Sequence, residues 1–143
     1  MSDTTATFDP RQRDGYLAWT AIPVRFGDQD TLGHVNNVAI AGYFEHARCT
    51  FLVPTLKGQS PVLSTVLARI AIDYFKEIHF PGTVDVGIRI TRVGIKSFVI
   101  AGGVFSGADC CATSEATMVF FDPLARRSTA PLAVTWDRLA SLR

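Results

Sequence analysis

One stretch of this chain spaces its apolar residues as a helix does, and almost everything after it alternates with a period of two. Ile40, Phe44, Ala47 and Phe51 recur at intervals of four, three and four, while Glu45 and Arg48 sit off that stripe. The spacing predicts an amphipathic helix of about four turns over residues 38–53. Asn36 or Asn37 offers an acceptor to the orphan N–H groups of the first turn, and Pro54 is expected to end the helix. After a loop at 55–61 the period changes. Val66, Ala68, Ile70, Ile72 and Tyr74 alternate with Leu67, Arg69, Ala71, Asp73 and Phe75, giving one wholly apolar face. Val84, Val86, Ile88 and Ile90 alternate in the same way with Asp85, Gly87, Arg89 and Thr91.

Turn residues at Pro81-Gly82, Gly94 with Lys96, and Ser106-Gly107 separate these strands from two more, over 97–105 and 110–121, the last ending at Asp122-Pro123. Ahead of the helix, residues 16–26 are aromatic and β-branched, but Pro23 lacks a backbone donor and confines that strand to an edge. The closing WDRLASLR is expected to form a short helix after Pro131. One strand, one long helix and four long strands with short connections define an α+β fold, an antiparallel sheet of five or six strands wrapped around one helix. Such a sheet leaves its other face to water or a partner.

The 143 residues suit one domain, 16–143, preceded by a loosely ordered arm over 1–15. An apolar fraction of 48% against 19% charged residues marks a globular chain with apolar surface to spare for an oligomer. The net charge of +1, with both signs dispersed, excludes the basic face that nucleic acid requires. No run approaches the roughly 18 apolar residues of a membrane span, and no secretory h-region precedes the domain. Cys49, Cys110 and Cys111 form neither a disulfide framework nor a CxxC motif, which suits a reducing cytoplasm.

The loop before the helix, FGDQDTLGHVNN, carries the chemistry. As a calcium loop it fails, because Leu32 and Ala39 stand where oxygen ligands are needed. A transition-metal site would need a second histidine, and His46 and His79 lie on other elements. Turn chemistry alone accounts for many of its residues: Asx turns at Asp28 and Asp30, positive φ at Gly33, caps at the asparagines. A functional reading uses the same groups. A helix N-terminus can hold a developing oxyanion, and a carboxylate a few residues earlier can reach the carbon attacked or the attacking water. That makes an acyl-transfer site without serine or cysteine, and the chain has no GxSxG elbow.

The run VRFGDQDTLGHVNN, the pattern of Tyr43, Glu45, Ala47 and Arg48, the segment ARIAIDYFKEIHFPGTVDVGIRITRVGIKSF and the closing ATMVFFD resemble the hotdog-fold acyl-CoA thioesterases of the 4-hydroxybenzoyl-CoA thioesterase type. The resemblance runs from about Ala18 to WDRL. It implies hydrolysis of an acyl-CoA thioester without metal or redox cofactor. Asp30 matches the catalytic aspartate, as base or as nucleophile. Gly33 matches the glycine that lets the loop approach the thioester, and the N–H at or near Asn37 the group that polarises its carbonyl. His34 stands where GHVNN-type members carry histidine, to orient Asp30 or water, or simply to bond a backbone carbonyl.

Val38, at the helix start, joins the substrate-binding candidates. Tyr43 and Tyr74 are candidates for an acyl pocket or else core residues, and Lys76, Lys96 and Arg92 for the phosphates of coenzyme A or else solvated surface. Asp28 is read as fixing the loop, and Glu45 as a surface partner of Arg48. Hotdog dehydratases pair a histidine with an acid from a later helix, which is missing here. The resemblance further implies a homodimer with sheets joined edge to edge and active sites at the interface, or a homotetramer. A hotdog protein that binds an acyl thioester or small hydrophobic ligand without turnover is the alternative.

Overall fold

A computed structural model describes residues 7–57 and 64–143. Among them the chain forms β1 (Ala18–Pro23), a 3₁₀ turn (Phe26–Asp28), α1 (Asn37–Leu56), β2 (Ser64–Tyr74), β3 (Thr83–Val93), β4 (Ser97–Ser106), β5 (Asp109–Asp122), β6 (Arg127–Ser128) and α2 (Ala133–Ala140). The strands make one antiparallel sheet in the order β1-β3-β4-β5-β2, with β6 on β5. Short connections force sequential strands β3, β4 and β5 to lie side by side, while α1 carries the chain across the sheet from β1 to its far edge. The alternating apolar residues Val84, Val86, Ile88 and Ile90 of β3 and Phe98, Ile100 and Val104 of β4 close over Ile40, Phe44 and Ala47 of α1. At Gly102 an added methyl would sit 2.9 Å from the Phe44 ring, so helix and sheet touch there through glycine.

Three expectations need correction. The helix runs through Pro54 to Leu56. Proline removes the N–H that would bond the Thr50 carbonyl, but Thr50 is exposed to water, and the Thr55 hydroxyl donates to the Phe51 carbonyl at 2.7 Å. Part of the loop expected at 55–61 lies outside the described residues. Second, β2 bulges between Leu67 and Arg69. One extra residue reverses the alternation, so Leu67, opposite Met118, shares the helix side with Ile70, Ile72 and Tyr74, and Val66, opposite Val119, turns to the other face. Third, Arg48 is not a surface partner of Glu45. It is 4% exposed, burial pulls its pKa down, and among the described residues its Nη1 has no hydrogen-bond partner.

The sheet face away from α1 is covered in part by the chain itself. Residues expected as a loose arm lie on it from Phe8 onward. The Tyr16 ring fills a groove over Gly87 and Gly103, meets Phe8, Trp19 and Phe105 edge to face, and its hydroxyl donates to the Pro10 carbonyl at 2.6 Å. Arg13 bonds Asp85 and the Gly107 carbonyl, and Arg89 bonds the Gly15 carbonyl. Among the described residues, no helix is long and apolar enough to cross a membrane.

Candidate active site

Residues 25–36 fold as a loop closed on itself before α1 begins. Its anchor is Asp28, 5% exposed. One carboxylate oxygen accepts the Arg25 backbone N–H at 2.9 Å and the Tyr43 hydroxyl at 2.7 Å; the other accepts the Arg25 guanidinium at 3.2 Å. Burial alone would raise the pKa of this carboxyl, but the bonds from Arg25 and Tyr43 outweigh it and hold it below the usual range. Burial and the same bond push the Tyr43 phenol upward. The Asp28 carbonyl then accepts the Asn36 N–H at 2.9 Å, which places the helix start. Asn36 caps that helix, accepting the Val38 N–H at 2.8 Å.

Between these anchors the chain turns tightly. The Asp30 N–H donates to the His34 carbonyl at 3.0 Å and the Gly33 N–H to the Asp30 carbonyl at 3.2 Å. Gly33 has φ +86°, a left-handed conformation that side chains disfavour. Asp30 divides its carboxylate between two tasks. Oδ1 accepts the Leu32 N–H at 2.8 Å, an Asx turn, whereas Oδ2 lies 3.9 Å from His34 Nδ1. The two oxygens of this side chain thus have different surroundings, one held by the turn and the other turned toward His34. The N–H of Asn37, first in α1, has no acceptor among the described residues.

Asp30, His34 and Asn37 meet Tyr74 and Lys76 around a cavity of about 350 Å³ walled by Val35, Ile40, Phe75 and Ile78. The Tyr74 hydroxyl reaches the Asn37 carbonyl at 3.4 Å, and Lys76 pairs with Asp109 at 2.9 Å. Gly33 borders a depression that shares Asp30 with this cavity. Other candidates lie elsewhere. Val38 and Tyr43 line a larger cleft of about 840 Å³ between β1 and α1, which does not contain Asp30. Volume favours that cleft, but the reactive groups converge on the smaller one. Tyr43 is buried and committed to Asp28. Lys96, with Arg92, sits at the end of β3 away from the loop, roughly 30 Å along a strand that rises about 3.3 Å per residue. Cys111 is buried and Cys110 half-buried, and burial raises both thiols.

Two residues that spacing along the chain did not single out complete the surroundings. The Val35 N–H donates to the Ile78 carbonyl at 2.8 Å, which draws the β2–β3 connection against the loop. Glu77 Oε1 then lies 3.9 Å from His34 Nε2, and His79 pairs with Glu77 at 3.2 Å. Among the described residues, no three such side chains are placed to hold a metal ion.

An antiparallel sheet around a central helix, with a polar loop at the N-terminus of that helix, is the hotdog fold. The chain belongs to the thioesterase-like superfamily, which matches residues 24–137. It is similar to the PA5185 protein of Pseudomonas aeruginosa strain PAO1, with 29% identity, 93% of this chain and 96% of that chain covered, and a TM-score of 0.84. It is also similar to a thioesterase of Thermus thermophilus solved with coenzyme A and zinc, with 28% identity, 90% and 96% covered, and a TM-score of 0.77. No curated protein matches it in sequence.

Proposed function

We propose that the chain is an acyl-CoA thioesterase that hydrolyses its substrate to free acid and coenzyme A, with Asp30 as the base. The observation that carries this reading is that Asp30, whose Oδ2 takes no hydrogen bond among the described residues, and Asn37, whose N–H has no acceptor among them, line one cavity with apolar walls. The thioester carbonyl points at the Asn37 N–H, where the helix dipole and the unpaired donor stabilise the oxyanion. Water adds to the carbonyl carbon as Asp30 takes its proton, and collapse breaks the carbon–sulfur bond. Val35, Ile40, Tyr74 and Ile78 receive the acyl group. The coenzyme A in the Thermus structure supports a coenzyme A thioester as the substrate class.

A second copy completes the site in this reading. Among the described residues β2 is a sheet edge of 11 residues bearing exposed Val66, Leu67 and Tyr74, and an apolar edge of that length is a template for a second strand. The cavity opens beside its end at Tyr74 and Phe75, so an antiparallel β2 from a second subunit would border it. The test is thiol release from a panel of acyl-CoAs by wild type and Asp30→Asn. Turnover in wild type that falls at least about a hundredfold in Asp30→Asn is expected. Binding of acyl-CoA by calorimetry with no thiol release from either protein would replace catalysis with a binding role. A single turnover in heavy-oxygen water should label only the product acid; label in Asp30 would make it the nucleophile.

A further inference from the structure

His34 has a carboxylate at each end of its ring. Asp30 Oδ2 lies 3.9 Å from Nδ1 and Glu77 Oε1 lies 3.9 Å from Nε2. An ionised carboxylate only accepts hydrogen bonds, so each can draw on His34 only through an N–H on the nitrogen that it faces. Glu77 does not stand alone. Its other oxygen pairs with His79 Nε2 at 3.2 Å, and His79 Nδ1 lies 3.4 Å from the Gly33 carbonyl. The chain of contacts thus runs from the turn at Gly33 through His79, Glu77 and His34 back to Asp30, and it joins two segments more than forty residues apart, as the His79–Gly33 separation of 46 records.

We propose that Glu77 is a positioning residue for His34, holding the imidazole from the side opposite Asp30 so that it carries the proton the departing thiol needs. This rests on the reading of Asp30 as the base of a thioesterase. When the carbon–sulfur bond breaks, the electron pair stays on sulfur, and His34 gives it a proton. The proton that Asp30 took from water passes to His34 and restores both groups. Water and thioester become acid and thiol with no other reactant. Asp30 and Glu77 face the ring nitrogens of His34 and the His79 ring lies 6.5 Å away, while Lys76 and Tyr74 line the same cavity; from α1, among the described residues, uncharged Asn37 and Ile40 line it. Lys76 is drawn off to Asp109 at 2.9 Å, so the two carboxylates set the charge around the ring.

The experiment compares Glu77→Gln, Glu77→Asp and Asp30→Asn with wild type in thiol release across pH, and follows the His34 ring titration by NMR. Glu77 is 63% exposed at its side chain, so Glu77→Gln leaves the core intact. Its kcat is expected to fall about tenfold with KM little changed. Removing a neighbouring negative charge disfavours the imidazolium, so the ring midpoint and the pH limb it controls are expected to move down. Glu77→Asp should recover most of both. Wild-type kcat and an unmoved midpoint in Glu77→Gln, while Asp30→Asn is inactive, would overturn the proposal. So would a loss of kcat with the midpoint unmoved, since that is a structural effect only. An Asp30→Asn enzyme as fast as wild type would instead remove the reading of the site on which the proposal rests.

Discussion

Replacing Tyr43 by phenylalanine removes a single oxygen from the anchor of the loop that precedes α1. Tyr43 is 5% exposed and its hydroxyl donates to Asp28 at 2.7 Å, so the lost bond is buried and runs to a charged acceptor. Such bonds contribute about 2 kcal/mol net, more than neutral ones, because the acceptor left behind cannot reach water. For a chain of this length that corresponds to a Tm lower by about 6 °C. Asp28 keeps the Arg25 N–H and guanidinium, so the loop loosens without dissolving. Thermal unfolding by circular dichroism of wild type, Tyr43→Phe, Asp28→Asn and the double variant measures the coupling, expected at about 1 kcal/mol. The pH dependence has a defined sign. A carboxyl held below its unfolded value contributes its full stability above about pH 4 and loses it as pH falls through the folded value. The gap in Tm between wild type and Asp28→Asn should therefore be complete at neutral pH and close in acid. A Tyr43→Phe protein that melts with wild type, or single effects that simply add, would refute the clamp.

Two other substitutions probe contacts outside the site. Gly103→Ala would bring a methyl within 2.7 Å of the Tyr16 hydroxyl and of the Phe105 ring. It should cost about 2 kcal/mol and expose residues 8–15 to limited proteolysis; an arm still protected in the variant would show that Tyr16 is not what holds it. Arg48→Met removes a buried guanidinium whose Nη1 has no partner among the described residues. It should leave stability in urea unchanged or raise it by about 1 kcal/mol, and a loss of more than that would reveal an acceptor outside the described residues.

The long elements were legible because their patterns are local. Ile40, Phe44 and Ala47 share a helix face at any tertiary environment, and the alternation of Val84 to Ile90 survives intact as a strand. The bulge at Ala68 was not legible, since nothing in an apolar-polar alternation marks where a partner strand drops a residue. Pro54 misled in a similar way: its penalty depends on whether the orphaned Thr50 carbonyl finds another partner, and Thr50 is exposed at the surface. In the loop, Asn36 was readable as a cap and Gly33 as a left-handed turn, because both act on their own backbone.

The sequence alone determined the order of elements, the antiparallel sheet about one helix, and a loop whose residue types suit both a helix cap and proton transfer. These follow from periodicity and backbone chemistry, which depend on neighbours within a few residues. Only the tertiary structure decided which groups meet. It set Tyr43 on Asp28 rather than in the cavity, carried Lys96 to the far end of the sheet, and brought Glu77 and His79 to His34. Those pairings depend on how the β2–β3 connection packs against the loop, through bonds such as Val35 to Ile78, between segments whose separation along the chain carries no mark of their contact.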